Sequence, residues 1–260
     1  MWKPQMHTAP AIMTQIRSLA TTLVNTVLPA QCVSCYQFTD QPGRLCVDCW
    51  SELSFIDQPL CDRMGTPFAF DPGEGVLSTK ALARPPAWNR ARAGVEFNDM
   101  SRKLIHALKY YDRHEVCDLM AQAMCRAGRE LLVDADMIIP VPLYSLRLWQ
   151  RRFNQSAALA KSIAETNGIA YRANVLKRNR STRQQVGLKG AARRDNVKGA
   201  FAVDDSNADT LYGARVILVD DVITTGATVG ACSEILLKAG CERVDVLSFA
   251  LVNHPLRLHI

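Results

Sequence analysis

Residues 214–228 read ARVILVDDVITTGAT. Residues 216–219 are four apolar, mostly β-branched residues in a row, the pattern of a strand buried on both faces of a parallel sheet. Asp220 and Asp221 follow at its carboxyl end, where open α/β sheets bind ligands. Thr224, Thr225, Gly226, Ala227 and Thr228 then make a short loop of small residues leading into a helix that ends at Gly240. Backbone N–H groups at such a helix start cradle a phosphate, and the helix dipole favours its charge. Gly226 lets the backbone come close to the ligand, and the threonine hydroxyls add donors. Carboxylates beside an anion repel it, so Asp220 and Asp221 read as acceptors for sugar hydroxyls of the same ligand. That combination describes a ribose phosphate. A purely structural strand and turn is the alternative, and it leaves the acids and threonines around one glycine unexplained. Neither G-x4-G-K-[ST] nor G-x-G-x-x-G occurs in the chain, which argues against a P-loop or a dinucleotide fold.

The neighbouring segments fit the same architecture. GVEF (94–97) and MIIPV (137–141) read as strands, and RVDVLSFALV (243–252) as the last one. SRKLIHALKY, EVCDLMAQAMCRAGRELL and NQSAALAKSIAETNG have helical spacing, the last closed by Gly168 as a C-cap. Strands alternating with helices predict an α/β fold, a parallel sheet flanked by helices, over residues 94–260.

Residues 32–66 hold five of the nine cysteines and read as a separate small module. Cys32-x2-Cys35 and Cys46-x2-Cys49 are two knuckles ten residues apart, joined through Gln41-Pro42-Gly43-Arg44. Four thiolates close a tetrahedral shell around zinc and leave no open position, so a zinc here is structural. A redox dithiol needs only one such pair. Cys61 follows alone, before Asp62-Arg63-Met64-Gly65, and Met is a poor zinc ligand. Cys117, Cys125, Cys232 and Cys241 lie in apolar periodic segments and read as core.

The remaining organisation is an amphipathic helix and linker over 1–31 and a Pro- and Gly-rich connector over 67–93. The apolar stretch near the start is broken by Arg17, Asn25 and several threonines, too polar for a membrane span or a clean signal peptide. The expectation is a cytoplasmic protein with no membrane partner, consistent with an odd cysteine count. The net charge is +6, yet residues 141–200 carry 13 Lys or Arg against only Glu165 and Asp195, a local +11. Such a field attracts nucleotides, pyrophosphate or nucleic acid. A solvated basic face is the plainer reading.

VILVDDVITTGAT resembles the motif by which type I phosphoribosyltransferases bind 5-phosphoribosyl-1-pyrophosphate (PRPP). With LPAQCVSC, CVDC, IHALKYYDR, IIPVPL, RRFNQS and TRQQVGLKGAARRDNVKGAF, the chain resembles the ComF/GntX family, named for competence protein F, over about residues 25–251. The resemblance implies a zinc-ribbon-like module ahead of a phosphoribosyltransferase-like domain. It implies that Asp220 and Asp221 hold the ribose 2- and 3-hydroxyls, and that residues Thr224 to Thr228 hold the 5-phosphate. Arg147, Arg151 and Lys109 would meet the pyrophosphate, with magnesium bridging ligand oxygens. Single-stranded DNA and DNA-uptake proteins are implied as partners of a binding protein without turnover; a homodimer is a possible assembly that the sequence does not fix. Two departures stand out. Arg152 replaces the glycine of the family's usual Arg-Gly-Phe-Asn-Gln, and Cys61-Asp-Arg-Met64-Gly replaces a further CxxCG pair, so a second zinc site is expected to be lost.

Overall fold

A computed structural model of the chain describes residues 29–110, 114–143, 154–179, 199–204 and 208–253. The N-terminal helix expected within 1–31 lies almost wholly outside the described residues. In chain order the helices are α1 (Val47–Ser51), α2 (Thr79–Ala83), α3 (Asp99–Tyr110), α4 (His114–Ala127), α5 (Arg129–Leu132), α6 (Gln155–Asn167), α7 (Ala208–Leu211) and α8 (Ala227–Lys238). The strands are β1 (Ala91–Glu96), β2 (Met137–Pro140), β3 (Ala170–Tyr171), β4 (Leu176–Arg178), β5 (Phe201–Val203), β6 (Arg215–Ile223) and β7 (Arg243–Leu251).

β1, β7, β6, β2 and β3 form one sheet in that order, and every pairing is parallel. β6 lies at its centre because Val216–Val219 can be buried on both faces. Alternate side chains separate cleanly. Ile138, Ile217, Val219, Leu247 and Phe249 join the core beneath α3, α4 and α6. Ile139, Val216, Leu218, Val244 and Val246 join a second core beneath α8. The two-residue side-chain period of a strand sets this division. The long elements fall where the sequence predicts them, with Gly168 closing α6 at φ 67°. The differences are short pieces. β1 starts at Ala91, inside the expected connector, and Gly128 separates α4 from α5. β4 and β5 form an antiparallel two-stranded ribbon. Such short pieces carry too few residues to show a period.

The cysteine-rich module is docked on the sheet edge. Phe55 bridges Val95 of β1, the Ile56 N–H donates to the Gly94 carbonyl at 3.2 Å, and the Glu96 N–H donates to the Ser54 carbonyl at 2.8 Å. An open strand edge is thereby covered. Arg92 of β1, 4% exposed, fastens the next segment by pairing with Asp62 at 2.8 Å and with Glu130 of α5. No described helix is long and apolar enough to cross a membrane.

Candidate functional site

The carboxyl end of β6 carries the acidic doublet, both of whose residues are partly buried. Asp220 Oδ1 accepts hydrogen bonds from the Ser156 hydroxyl at 3.0 Å and the Asp221 N–H at 2.9 Å. Ser156 is held in the first turn of α6, where Asn154 caps the helix by accepting from the Ser156 N–H at 3.1 Å. The Lys109 ammonium, from the last turn of α3, pairs with Asp221 Oδ2 at 2.9 Å. α3 itself starts from a reciprocal cap in which the Asn98 and Ser101 side chains each accept the other's N–H. Burial, and then the neighbouring Asp221 charge, push the Asp220 carboxyl up to about 7. A carboxylate in that state is eager for a hydroxyl donor.

Thr224 and Thr225 are exposed, and Gly226 turns the chain with φ 77°. α8 then begins at Ala227 with no side chain capping it from Gly226. The Ala227 N–H has only a long 3.4 Å contact to the Thr225 hydroxyl. The turn therefore starts a helix N-terminus a few residues after the doublet, the kind of element an anion site uses. Its underside is closed: a Cβ on Gly226 would stand 2.6 Å from Trp88 Cη2. Arg147, Arg151 and Arg152 lie outside the described residues.

Sequence reasoning missed Ser156 and Trp88. Ser156 follows directly on the Phe153-Asn154-Gln155 signature, which is the signal that could have found it. Trp88 sits among prolines in a segment with no period, and nothing local marks it as buried.

The second candidate centre is the cysteine quartet. The Sγ atoms of Cys32, Cys35, Cys46 and Cys49 all lie within 4.8 Å of one another. A tetrahedron of about 2.3 Å Zn–S bonds has S···S edges of about 3.8 Å, so the four fit one zinc ion with small adjustments. Cys46 caps α1 and brings Cys49 one turn along. Burial raises the Cys32 thiol, but N–H donors from Cys35, Cys46 and Ser34 outweigh it and bring it down to about 6. Cys61 stands apart, its Sγ accepting from the Ser78 N–H at 3.2 Å.

Residues 23–81 match the double zinc ribbon domain family, and residues 156–258 the phosphoribosyl transferase domain family. The DNA utilization protein YhgH of Salmonella typhimurium is 32% identical over 193 residues, 72% of this chain and 82% of that protein. Competence protein F of Haemophilus influenzae is 30% identical over 211 residues, 79% of this chain and 90% of that one. The chain belongs to the ComF family. Competence protein ComFC of Bacillus subtilis is 23% identical over 223 residues, 81% of this ComF-family chain and 84% of that protein. Among solved structures, an allosteric regulatory enzyme of purine biosynthesis matches 57% of this chain at 24% identity and a TM-score of 0.38. The match spans only 30% of that larger enzyme. Orotate phosphoribosyltransferase from Aeropyrum pernix matches 60% of this chain and 78% of its own length, at 16% identity and a TM-score of 0.34. The ComF-family protein joins a double zinc ribbon region to a phosphoribosyl transferase domain.

Proposed function

We propose that this protein binds magnesium-PRPP at the carboxyl end of β6 and transfers its phosphoribosyl group to an acceptor in a pathway of DNA utilisation. The observation that carries this reading is the Asp220–Asp221 doublet, anchored by Ser156 and Lys109, standing directly before the Gly226 turn into α8. Asp220 and Asp221 would accept from the ribose hydroxyls, and the amides and hydroxyls of Thr224–Thr228 would hold the 5-phosphate. Arg147, Arg151 and Lys109 would face the pyrophosphate, where guanidinium forks suit paired oxygens. Magnesium would supply neutralisation of leaving-group charge. The protein's own part is positioning and electrostatic stabilisation, since an oxocarbenium-like ribose needs no protein nucleophile. The DNA context comes from the names of the relatives, and the local +11 of residues 141–200 agrees with a polyanionic partner.

The test is a thermal shift with magnesium and PRPP. Ligand at a hundred times its dissociation constant should add about 2.7 kcal/mol of stability. The shift should vanish in Asp220→Asn/Asp221→Asn, and pyrophosphate should be released with a suitable acceptor. No shift in the wild-type protein overturns the reading.

A second reading is a binding protein without turnover that handles single-stranded DNA. A groove of about 310 Å³ between the first ribbon and α3 favours it, lined by Arg102, Lys103, His106 and Tyr36. Tyr36 is exposed there, 55%. Basic side chains beside an aromatic ring suit a single strand. Affinity for an oligonucleotide that falls steeply with salt supports it, and no binding at 150 mM salt removes it.

A further inference from the structure

The double zinc ribbon family implies two metal sites, and this chain has residues for one. The segment after Cys61 nevertheless repeats the first knuckle bond for bond, displaced by 29 residues. The Cys32 N–H donates to the Gln37 carbonyl at 2.7 Å, and the Cys61 N–H to the Thr66 carbonyl at 2.8 Å. Tyr36 N–H returns to the Cys32 carbonyl at 3.1 Å, and Gly65 N–H to the Cys61 carbonyl at 2.8 Å. Tyr36 and Gly65 share a left-handed backbone, φ 65° and 64°. Thr39 donates to Ala30, and Phe68 to Pro59, both at 2.9 Å. The bridges Gln31–Phe38 and Leu60–Pro67 correspond as well. After the linker the offset becomes 32 residues. Val33 bonds to Arg44, and Asp62 to Val76. Cys46 caps α1 by accepting from the Cys49 N–H, and Ser78 caps α2 by accepting from the Ala81 N–H.

We infer that residues 59–83 are a second zinc ribbon that folds without metal, its four ligand positions held by Cys61, Met64, Ser78 and Ala81. One thiol, a thioether, a hydroxyl and a methyl group cannot close a zinc shell. Cys61 is fully buried, Ala81 is 1% exposed, and Met64 packs into the core cluster that contains Trp88. The Ser78 N–H to Cys61 bond keeps the two halves joined. The test is metal content of the reduced, full-length protein. Wild type should hold one zinc per chain. Met64→Cys/Ser78→Cys/Ala81→Cys should hold two, and its cobalt form should show twice the tetrahedral thiolate absorbance. If that variant does not fold, Cys61→Ala decides, and it should still hold one zinc. Two zinc ions in wild type, one in the folded triple variant, or loss of zinc from Cys61→Ala overturns the assignment.

A separate set of contacts runs from this ribbon through Trp88 to the Gly226 turn. Arg63, in the second knuckle, brackets Trp88: its carbonyl accepts from the indole Nε1–H at 3.0 Å, and its guanidinium donates to the Trp88 and Pro86 carbonyls at 3.3 and 3.1 Å. The indole, 4% exposed, lies under Gly226 and within 3.5 Å of where a Gly230 Cβ would stand. We propose that Trp88 is a positioning residue that fixes the phosphate-loop backbone at Gly226; its importance for ligand rests on the PRPP reading above. The test is amide hydrogen exchange without ligand. Trp88→Leu should speed exchange at residues 224–228 about ten-fold and leave residues 216–219 unchanged, with the PRPP affinity falling in parallel. If Trp88→Leu does not fold, Trp88→Phe should give a smaller acceleration at the same amides. Unchanged loop exchange in either folded variant overturns the proposal. A wild-type protein that fails to bind PRPP counts against the ligand reading alone, because the exchange result stands without ligand.

Discussion

Lys109 and Asp221, 112 positions apart in the chain, meet as an ion pair at 2.9 Å. The pair joins the last turn of α3 to the carboxyl end of β6 and is three-quarters or more buried at both side chains. The lysine therefore neutralises one of the two carboxylates proposed to hold the sugar. A bound pyrophosphate would compete for the same ammonium. Lys109→Met should weaken PRPP binding at least about ten-fold by titration calorimetry. It should also lower stability by about 1–2 kcal/mol, since it leaves a mostly buried carboxylate unpaired.

Asp220 makes the unliganded protein pH-sensitive. Its carboxyl is raised from 3.8 to about 7 by burial and the Asp221 charge. A group that binds its proton more tightly in the fold lends stability that is full below its ordinary value and gone above its folded one. This contribution should fall away as pH rises from about 4 to about 7. Asp220→Asn should flatten that decline and raise the melting temperature at pH 8 by about 4 °C, while abolishing the ligand-induced shift. Melting curves across that range check both effects.

Ser156→Ala removes the hydroxyl that Asp220 accepts from. The loss of one hydrogen bond to a charged group should cost about 1–2 kcal/mol at pH 8. It should cost less at pH 5, where Asp220 is protonated. The inflection in the stability profile should move to higher pH. A purely packing role for Ser156 would lower stability equally at both.

Zinc removal should act locally first. The quartet joins residues that pack through Val33, Leu45 and Leu53 onto the core beneath α3. Chelation should lower the melting temperature by about 10 °C or more. It should also change the emission of Trp50, whose ring lies 5.0 Å from that of Phe55. Zinc should restore both.

Arg92→Met should cost about 1–2 kcal/mol, because it removes the hydrogen bonds the buried guanidinium makes to Asp62 and Glu130, whose carboxylates stay partly in water. If Arg92 fastens the second ribbon, exchange at residues 61–66 should rise in this variant more than exchange in β6.

Residues near one another in sequence carried their own reading. Val216–Val219, the doublet and the turn at Gly226 are consecutive, so strand, acidic end and helix start were legible in fifteen residues. The two CxxC pairs were legible because a thiol quartet depends on spacing within knuckles. β1 from Ala91 and the β4–β5 ribbon were not, because their pairing partners lie far away and the pieces are too short for a period to show. The second ribbon was hidden for another reason. Its fold lies in main-chain hydrogen bonds, while the side chains that announce a ribbon have been replaced at Met64, Ser78 and Ala81.

The sequence by itself determined the parallel α/β class, the acidic end of β6 and the cysteine quartet, since each rests on local periodicity or short spacing. Only the tertiary structure brought Ser156 to Asp220, Lys109 to Asp221 and Trp88 beneath Gly226. Those contacts depend on the strand order β1-β7-β6-β2-β3 and on which sheet face each helix covers. Main-chain hydrogen bonding and burial across the whole sheet set both, and no short window of sequence encodes them.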